Sequence, residues 1–409
     1  MSVSGDLPPD RSVLEEAVSA CYQASLLREE ERPVTFRLAL TEPERCPSEL
    51  GPPGGLHRLQ FAESRPFDEH ELRRLSPSVD FHRSLIGVAV GEEGRLRIWG
   101  ILQSGPRWVR GTQGGREQAP PLPPVAVIHT KGPGQLAVYR GDIPVASLDG
   151  GRLTDTSMDV FASRWLPESF ASVRAELMEL HESAREQAQE PWAPLDVDLT
   201  RMIGQHAIRR VISVLRDAHH GGTLIFVPPE RTKEFSDDNH YVTFRHRFAE
   251  GEPRRRFRTL IVGVMNRLAE VHGKGEAPSY PREVGWEEYR KTGDEGIAEL
   301  DEAIFELAHL IAALAAVDGA VVMSKRFELL GFGGEISGEL PAVRTVAKAL
   351  DLEGERISKE PTDGVGTRHR SAYRLCSALG EAVGVVVSQD GTARFVRRMD
   401  GGVAYWDHA

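Results

Sequence analysis

Two short stretches carry residue types that could do chemistry. The first is VDGAVVM, 317–323, an apolar run with the carboxylate of Asp318 set beside Gly319. A carboxylate at an apolar helix–strand junction is costly to bury without a partner. It could pair with an arginine, cap a turn or hold a metal. Gly319 would let a bound molecule come close to the backbone. The second is VGTRHRSAY, 365–373, where Arg368, His369 and Arg370 stand in a row. Gly366 and Thr367 precede Ala372, Leu375, Cys376 and Leu379 at helical spacing, so Thr367 is expected to be the N-cap. A helix start offers free N–H groups and a partial positive charge to an anion. Guanidinium forks and a histidine donor suit phosphate oxygens. Each stretch alone has a bland reading: DGA is commonly a turn, and a helix start can simply expose basic residues. As a pair they fit a phosphate chain with Mg²⁺ or Mn²⁺, which favour one or two carboxylates plus substrate oxygens.

These residues need elements to hold them. MIGQHAIRRVISVLRDA, 202–218, has helical apolar spacing, and GGTLIFVPP, 221–229, reads as a buried strand. Residues 258–271 and 296–315 are again helical. GAVVM is a strand, TRHRSAYRLCSAL a helix, and VGVVVSQDGTARFV a hairpin closed by Asp390-Gly391. This alternation predicts an α/β domain over 196–409, a mixed sheet flanked by helices. Earlier, 11–28 is helical. SLIGVAV, RLRIWGIL, PVAVIHT and QLAVYR then follow as β-prone runs between Gly and Pro clusters. They predict a mainly β (α+β) domain over 1–155. Phe170, Val173, Leu177 and Leu180 form one narrow helical stripe, more in keeping with packing on its own domain than with a dimer coiled coil. With PWAP at 191–194, residues 156–195 read as a connecting helix and linker. No internal repeat is visible.

Bulk composition narrows the function. The 409 residues suffice for two or three domains. A net charge of −11 argues against a general nucleic-acid binder. The basic run RRRFR, 254–258, reads as a solvated surface segment. Cys21, Cys46 and Cys376 are far apart and form no zinc pattern or disulfide framework. A reducing, cytoplasmic setting is expected. MSVSGDLPPD lacks the basic and apolar regions of a signal peptide. The most apolar window, 303–323, contains Glu306, His309 and Asp318, so no membrane span is expected.

DGA within VDGAVVM, then GTRHR opening a helix, then VVVSQDG, resembles the diadenylate cyclase family, the bacterial and archaeal domain that condenses two ATP into cyclic di-AMP. HGGTLIFVP, 220–228, is similar to that family's first core strand. The resemblance spans roughly 200–400, with its specific motifs between 317 and 391. RPFDEHELRRLSPSVDFHRSLIGVAVGEEGRLRIWGI, 65–101, resembles a DACNV-type sensor domain found ahead of some bacterial diadenylate cyclases. Its ligand is not legible in these residues. Trp99 and Trp108 could line a pocket, although such residues are more often core.

The resemblance implies roles. Asp318 would act with Mg²⁺ or Mn²⁺ to help a ribose 3′-hydroxyl attack the α-phosphorus of a second ATP. Gly319 and Ala320 would line the nucleotide. Gly366, Thr367, Arg368, His369 and Arg370 would hold phosphates and offset transition-state charge. Ser388 would contact phosphate and Asp390 would be a second metal carboxylate, although Gln389 stands where the family often has an acid. About ninety residues separate HGGTLIFVP from DGA, which implies an insertion around 230–290. DDNHYVTFRHRFAEGEPRRRFR would be its arm. Glycines 331, 333, 334 and 338 are only loosely like a phosphate loop, and the family parallel makes them a turn near the adenine; no GK[ST] follows. His219 and His220 read as a helix C-cap rather than metal ligands. One DGA and one RHR make one ATP site per chain, so cyclisation implies a homodimer or higher homo-oligomer with facing cyclase domains. The N-terminal domain would regulate it. Two alternatives stay open: an inactive nucleotide-binding sensor of the same fold, and a cyclase making a different cyclic dinucleotide.

Overall fold

The computed structural model describes residues 10–46, 51–52, 55–91, 94–106, 116, 123–149, 151–155, 158–218, 220–235, 239–249, 251–273, 283–389 and 391–408. The chain forms two compact units, Met1–Thr156 and Ser157–Ala409.

The first unit opens with α1 (Arg11–Ser25), whose N-cap Asp10 accepts from the Ser12 N–H. Then come β1 (Phe36–Leu40), β2 (His57–Pro66), α2 (Glu69–Leu75), β3 (Ser84–Val90) and β4 (Leu96–Gln103). β5 (Ala126–Gly132), β6 (Gln135–Arg140), β7 (Ile143–Asp149) and β8 (Arg152–Asp155) complete it. The eight strands lie in the order β8-β7-β6-β5-β1-β3-β4-β2. All neighbours are antiparallel except β1 and β3. Period-2 alternation splits the side chains between faces. Phe36, Leu38, Ile86 and Ile98 pack with Ala17, Cys21 and Ala24 of α1 and Leu72 of α2. Ala39, Leu85, Trp99, Leu102 and Val127 form a second cluster. Trp99 is core rather than pocket lining: its indole N–H donates to the Thr41 carbonyl at 2.8 Å. Gly87 makes room for it, since a Cβ there would sit 2.2 Å from the ring. Trp108 lies outside the described residues.

The second unit contains α3 (Ala171–Glu186), α4 (Leu199–Asp217), β9 (Gly222–Val227), β10 (Val242–His246), α5 (Arg256–Gly273) and α6 (Glu295–Ala316). β11 (Ala320–Ser324), β12 (Leu329–Ile336), β13 (Thr345–Ala349), β14 (Ile357–Pro361) and α7 (Thr367–Ala378) follow. β15 (Val383–Val387), β16 (Ala393–Met399) and β17 (Gly402–His408) end it. Its nine-stranded mixed sheet runs β10-β12-β11-β9-β15-β16-β17-β13-β14. The pairs β9/β11 and β13/β17 are parallel. β9 is buried at every position because both its faces are covered. Leu224 and Phe226 pack with apolar residues of α4, α5 and α6. Ile225 and Val227 pack with Ala372, Tyr373, Leu375 and Cys376 of α7.

Three sequence expectations need correction. Residues 158–195 are not a mere connector, because Val160, Phe161, Trp165, Leu166, Val173 and Leu177 enter the core of the second unit. The 230–290 segment is not an appended arm either. It supplies β10 to the sheet edge, and Phe257, Leu260, Ile261, Val264, Met265, Leu268 and Ala269 of α5 to the core. Its apolar spacing is that of a core helix, which a count of family spacing cannot register. The basic run 254–258 is not freely solvated. Arg254 and Arg255 lie 2.9 and 3.7 Å from Glu328, Arg258 lies 3.1 Å from Glu176, and Phe257 is buried. Among the described residues no helix is long and apolar enough to cross a membrane.

Candidate functional site

Strand register gathers the site. β9 and β11 are parallel, with Leu224 opposite Val321, so both start at the same end of the sheet. β15 runs antiparallel to β9, with Gly222 opposite Val387, so it finishes there. Three segments therefore meet at one sheet end: His220–Gly221 before β9, Asp318–Gly319 before β11, and Ser388–Gln389 after β15. α7 brings in the fourth. Its apolar side packs on Ile225, Val322, Val386 and Val396, and Arg368 from its first turn donates to the His220 carbonyl at 3.1 Å. The basic motif and the acidic motif thus reach the same end of the central strands.

Gly221 fixes this corner, and the sequence reading assigned it no role. Its φ is +64°, and a Cβ there would lie 2.8 Å from the Val387 carbonyl oxygen and 2.9 Å from an Arg368 Nη1. Only glycine accepts that backbone without strain. The signal was the GG pair opening the strand.

Asp318 differs from its expected setting. It stands at the helix–strand junction, in the bend between α6 and β11, but its side chain is 84% exposed rather than buried. No desolvation penalty has to be offset there. Arg245 of β10 approaches it at 3.9 Å, with both partners largely in solvent. Arg245 is a second residue that sequence reading missed, and it comes from the segment taken for an arm. Gly319 has φ +116°, and a Cβ would lie 2.6 Å from the Gly333 carbonyl carbon. Its first duty is to let β12 pass closely. Gly331, Gly333 and Gly334 are not in a turn; they lie within β12, where a side chain on Gly331 would strike the Phe244 ring at 2.5 Å. Ala320 is buried, with its backbone paired to Gly334.

Gly366, not Thr367, is the N-cap of α7, with φ −57° and ψ 156°. Thr367 is the first helical residue, and no side chain caps the turn. That leaves the Thr367 and Arg368 N–H groups to an outside acceptor. Arg368 and Arg370 do not share a face, because two positions turn an α-helix by about 200°. Arg370 and Thr367 are exposed, and His369 is half-buried with its ring 6.4 Å from that of Tyr373. Burial raises the Tyr373 phenol above its ordinary value, which keeps it neutral. Ser388 is half-buried, and its hydroxyl donates to the Thr392 carbonyl at 3.1 Å, closing the hairpin turn. Asp390 and His219 lie outside the described residues. Among the described residues no three His, Cys, Asp or Glu side chains gather as a metal-holding group. The exposed carboxylate of Asp318 fits a Mg²⁺ or Mn²⁺ that keeps waters and arrives with substrate oxygens, not a fully caged ion.

A family model described as a probable sensor domain, DACNV, matches residues 5–103. That range runs from before α1 to the end of β4, inside the first unit. No curated protein and no solved structure matches the chain.

Proposed function

We propose that the second unit is a diadenylate cyclase condensing two ATP into cyclic di-AMP, with release of two pyrophosphates, under control of the sensor-bearing first unit. One observation carries this reading: Asp318–Gly319 and the uncapped, arginine-bearing start of α7 meet at one end of three central strands. A phosphate chain seated there would take the N–H groups of Thr367 and Arg368 and the Arg368 guanidinium. A 3′-hydroxyl presented near the solvent-exposed Asp318 would pass its proton to water as its oxygen attacks the α-phosphorus, and the bond from that phosphorus to the bridging oxygen breaks, with pyrophosphate leaving on that oxygen. A second, reciprocal attack closes the ring. Asp318 would hold Mg²⁺ or Mn²⁺, which would supply charge neutralisation for the hydroxyl and the departing pyrophosphate. Because each chain has one such site, two chains must face one another.

The test is incubation of the purified chain with each nucleoside triphosphate in turn and Mg²⁺ or Mn²⁺, products being resolved by mass. Cyclic di-AMP and pyrophosphate are expected from ATP alone. Binding of ATP without turnover would instead identify a nucleotide sensor, and another cyclic product would identify a different base pocket.

A further inference from the structure

The second unit shows how a buried arginine is normally accommodated. Arg210 is 2% exposed, and it donates to Asp301 Oδ1 at 2.6 Å, to which Tyr289 also donates. Arg37, on β1 of the first unit, has no such arrangement. It is 0% exposed, yet Nε and both Nη atoms have no hydrogen-bond partner. Directly opposite it on β5 stands His129, also buried, whose Nε2 is likewise without a partner. Burying an unpaired charge is among the costliest arrangements in a protein. Burial pushes the Arg37 guanidinium down to about 10, despite the opposing fields of Asp80 and Tyr139. Asp80 is exposed, and its Oδ1 accepts from the His82 N–H instead.

Two aromatic rings flank the pair. The Phe81 ring centroid lies 5.9 Å from Arg37 Cζ and 5.7 Å from the His129 ring. Tyr139 lies 4.3 Å from His129, ring to ring. Phe81 is half-buried and sits on a turn closed by Arg83 and Ser84 N–H groups donating to the Asp80 carbonyl at 3.0 and 2.8 Å. Among the described residues, the Phe81 ring on this short turn lies against Arg37.

We propose that Arg37 and His129 form the receptor of the first unit for a small carboxylate with an apolar body, admitted when Phe81 and its turn move aside. The guanidinium fork matches a carboxylate, and the aromatic walls suit an apolar body better than a strongly hydrated phosphate. The Arg37 donors have no partner, so an occupying carboxylate favours the form in which they are satisfied. That difference between states is what a sensor needs.

The test uses the full chain with benzoate, butyrate and inorganic phosphate as probes, read by thermal unfolding and calorimetry. Benzoate at roughly 100 times its dissociation constant should raise the unfolding midpoint of the first unit by roughly 5–10 °C. Arg37→Met should abolish that rise and, without any probe, unfold no lower than wild type, since it removes an unpaired buried charge. Arg37→Lys retains the charge without the fork and should bind benzoate roughly tenfold or more weakly, a binding readout separate from the stability of the Met variant. The proposal is overturned if neither carboxylate binds, if phosphate binds as well as benzoate, if Arg37→Met is less stable than wild type, or if Arg37→Lys binds unchanged.

Discussion

At the scale of single residues, the proposed function would divide the site's labour between an exposed carboxylate and a helix start. Asp318 makes no close contact that the fold depends on. Asp318→Asn should therefore leave the unfolding free energy within about 0.5 kcal/mol of wild type and leave ATP binding largely in place, while turnover is lost. Arg368→Ala should weaken ATP binding itself by roughly 1.5–3 kcal/mol, the usual cost of one charged hydrogen bond. Calorimetry with ATP on both variants checks the split. Equal loss of binding in the two would assign Asp318 to holding the nucleotide rather than to chemistry. The residue types were legible in the sequence because DGA and RHR are contiguous and their chemistry is local. Their settings were not. Asp318 looked buried because its neighbours are apolar, and Thr367 looked like the cap because glycine, an equally acceptable N-cap, stood one place earlier.

At the scale of elements, the site is a corner made by register, which no local pattern encodes. Gly221, Asp318 and Arg368 are far apart in sequence and meet only because β9 pairs in parallel with β11 and antiparallel with β15. Gly319 and Gly221 both keep a positive φ and both lie against backbone. Gly319→Ala should cost roughly 2–4 kcal/mol, combining a strained dihedral with a clash against β12. Gly221→Ala should displace Arg368 and lower ATP affinity without touching either motif. Denaturant midpoints and ATP titrations of the two variants measure this. A Gly221→Ala protein with unchanged ATP affinity would remove the corner from the account. The α/β alternation and most strands could be read from periodicity. The role of 230–290 could not, because an edge strand and a core helix look like surplus length when only motif spacing is considered.

At the scale of the whole molecule, each unit buries a histidine that must stay neutral. Burial first, then Arg37, Lys131 and His82, hold His129 well below the ordinary histidine value. Burial first, then Arg216 and Arg209, do the same for His408, with Asp159 at 3.6 Å too weak an opponent. Both are lowered, so the unfolded chain takes up the protons. Stability is fully present above about pH 6.5 and falls below it, by about 1.4 kcal/mol per pH unit for each histidine. His408→Gln should flatten that fall for the second unit, as thermal scans between about pH 8 and pH 5 would register. A wild-type midpoint that does not change over that range would contradict it. The larger claim is that two chains complete one reaction, and its most direct measurement is the mass-resolved product formed from ATP as enzyme concentration is varied. Cyclic di-AMP per chain should rise with concentration and then level off as pairs saturate. No cyclic product with either metal, or an unchanged rate per chain from protein that sediments as a monomer throughout, would contradict it.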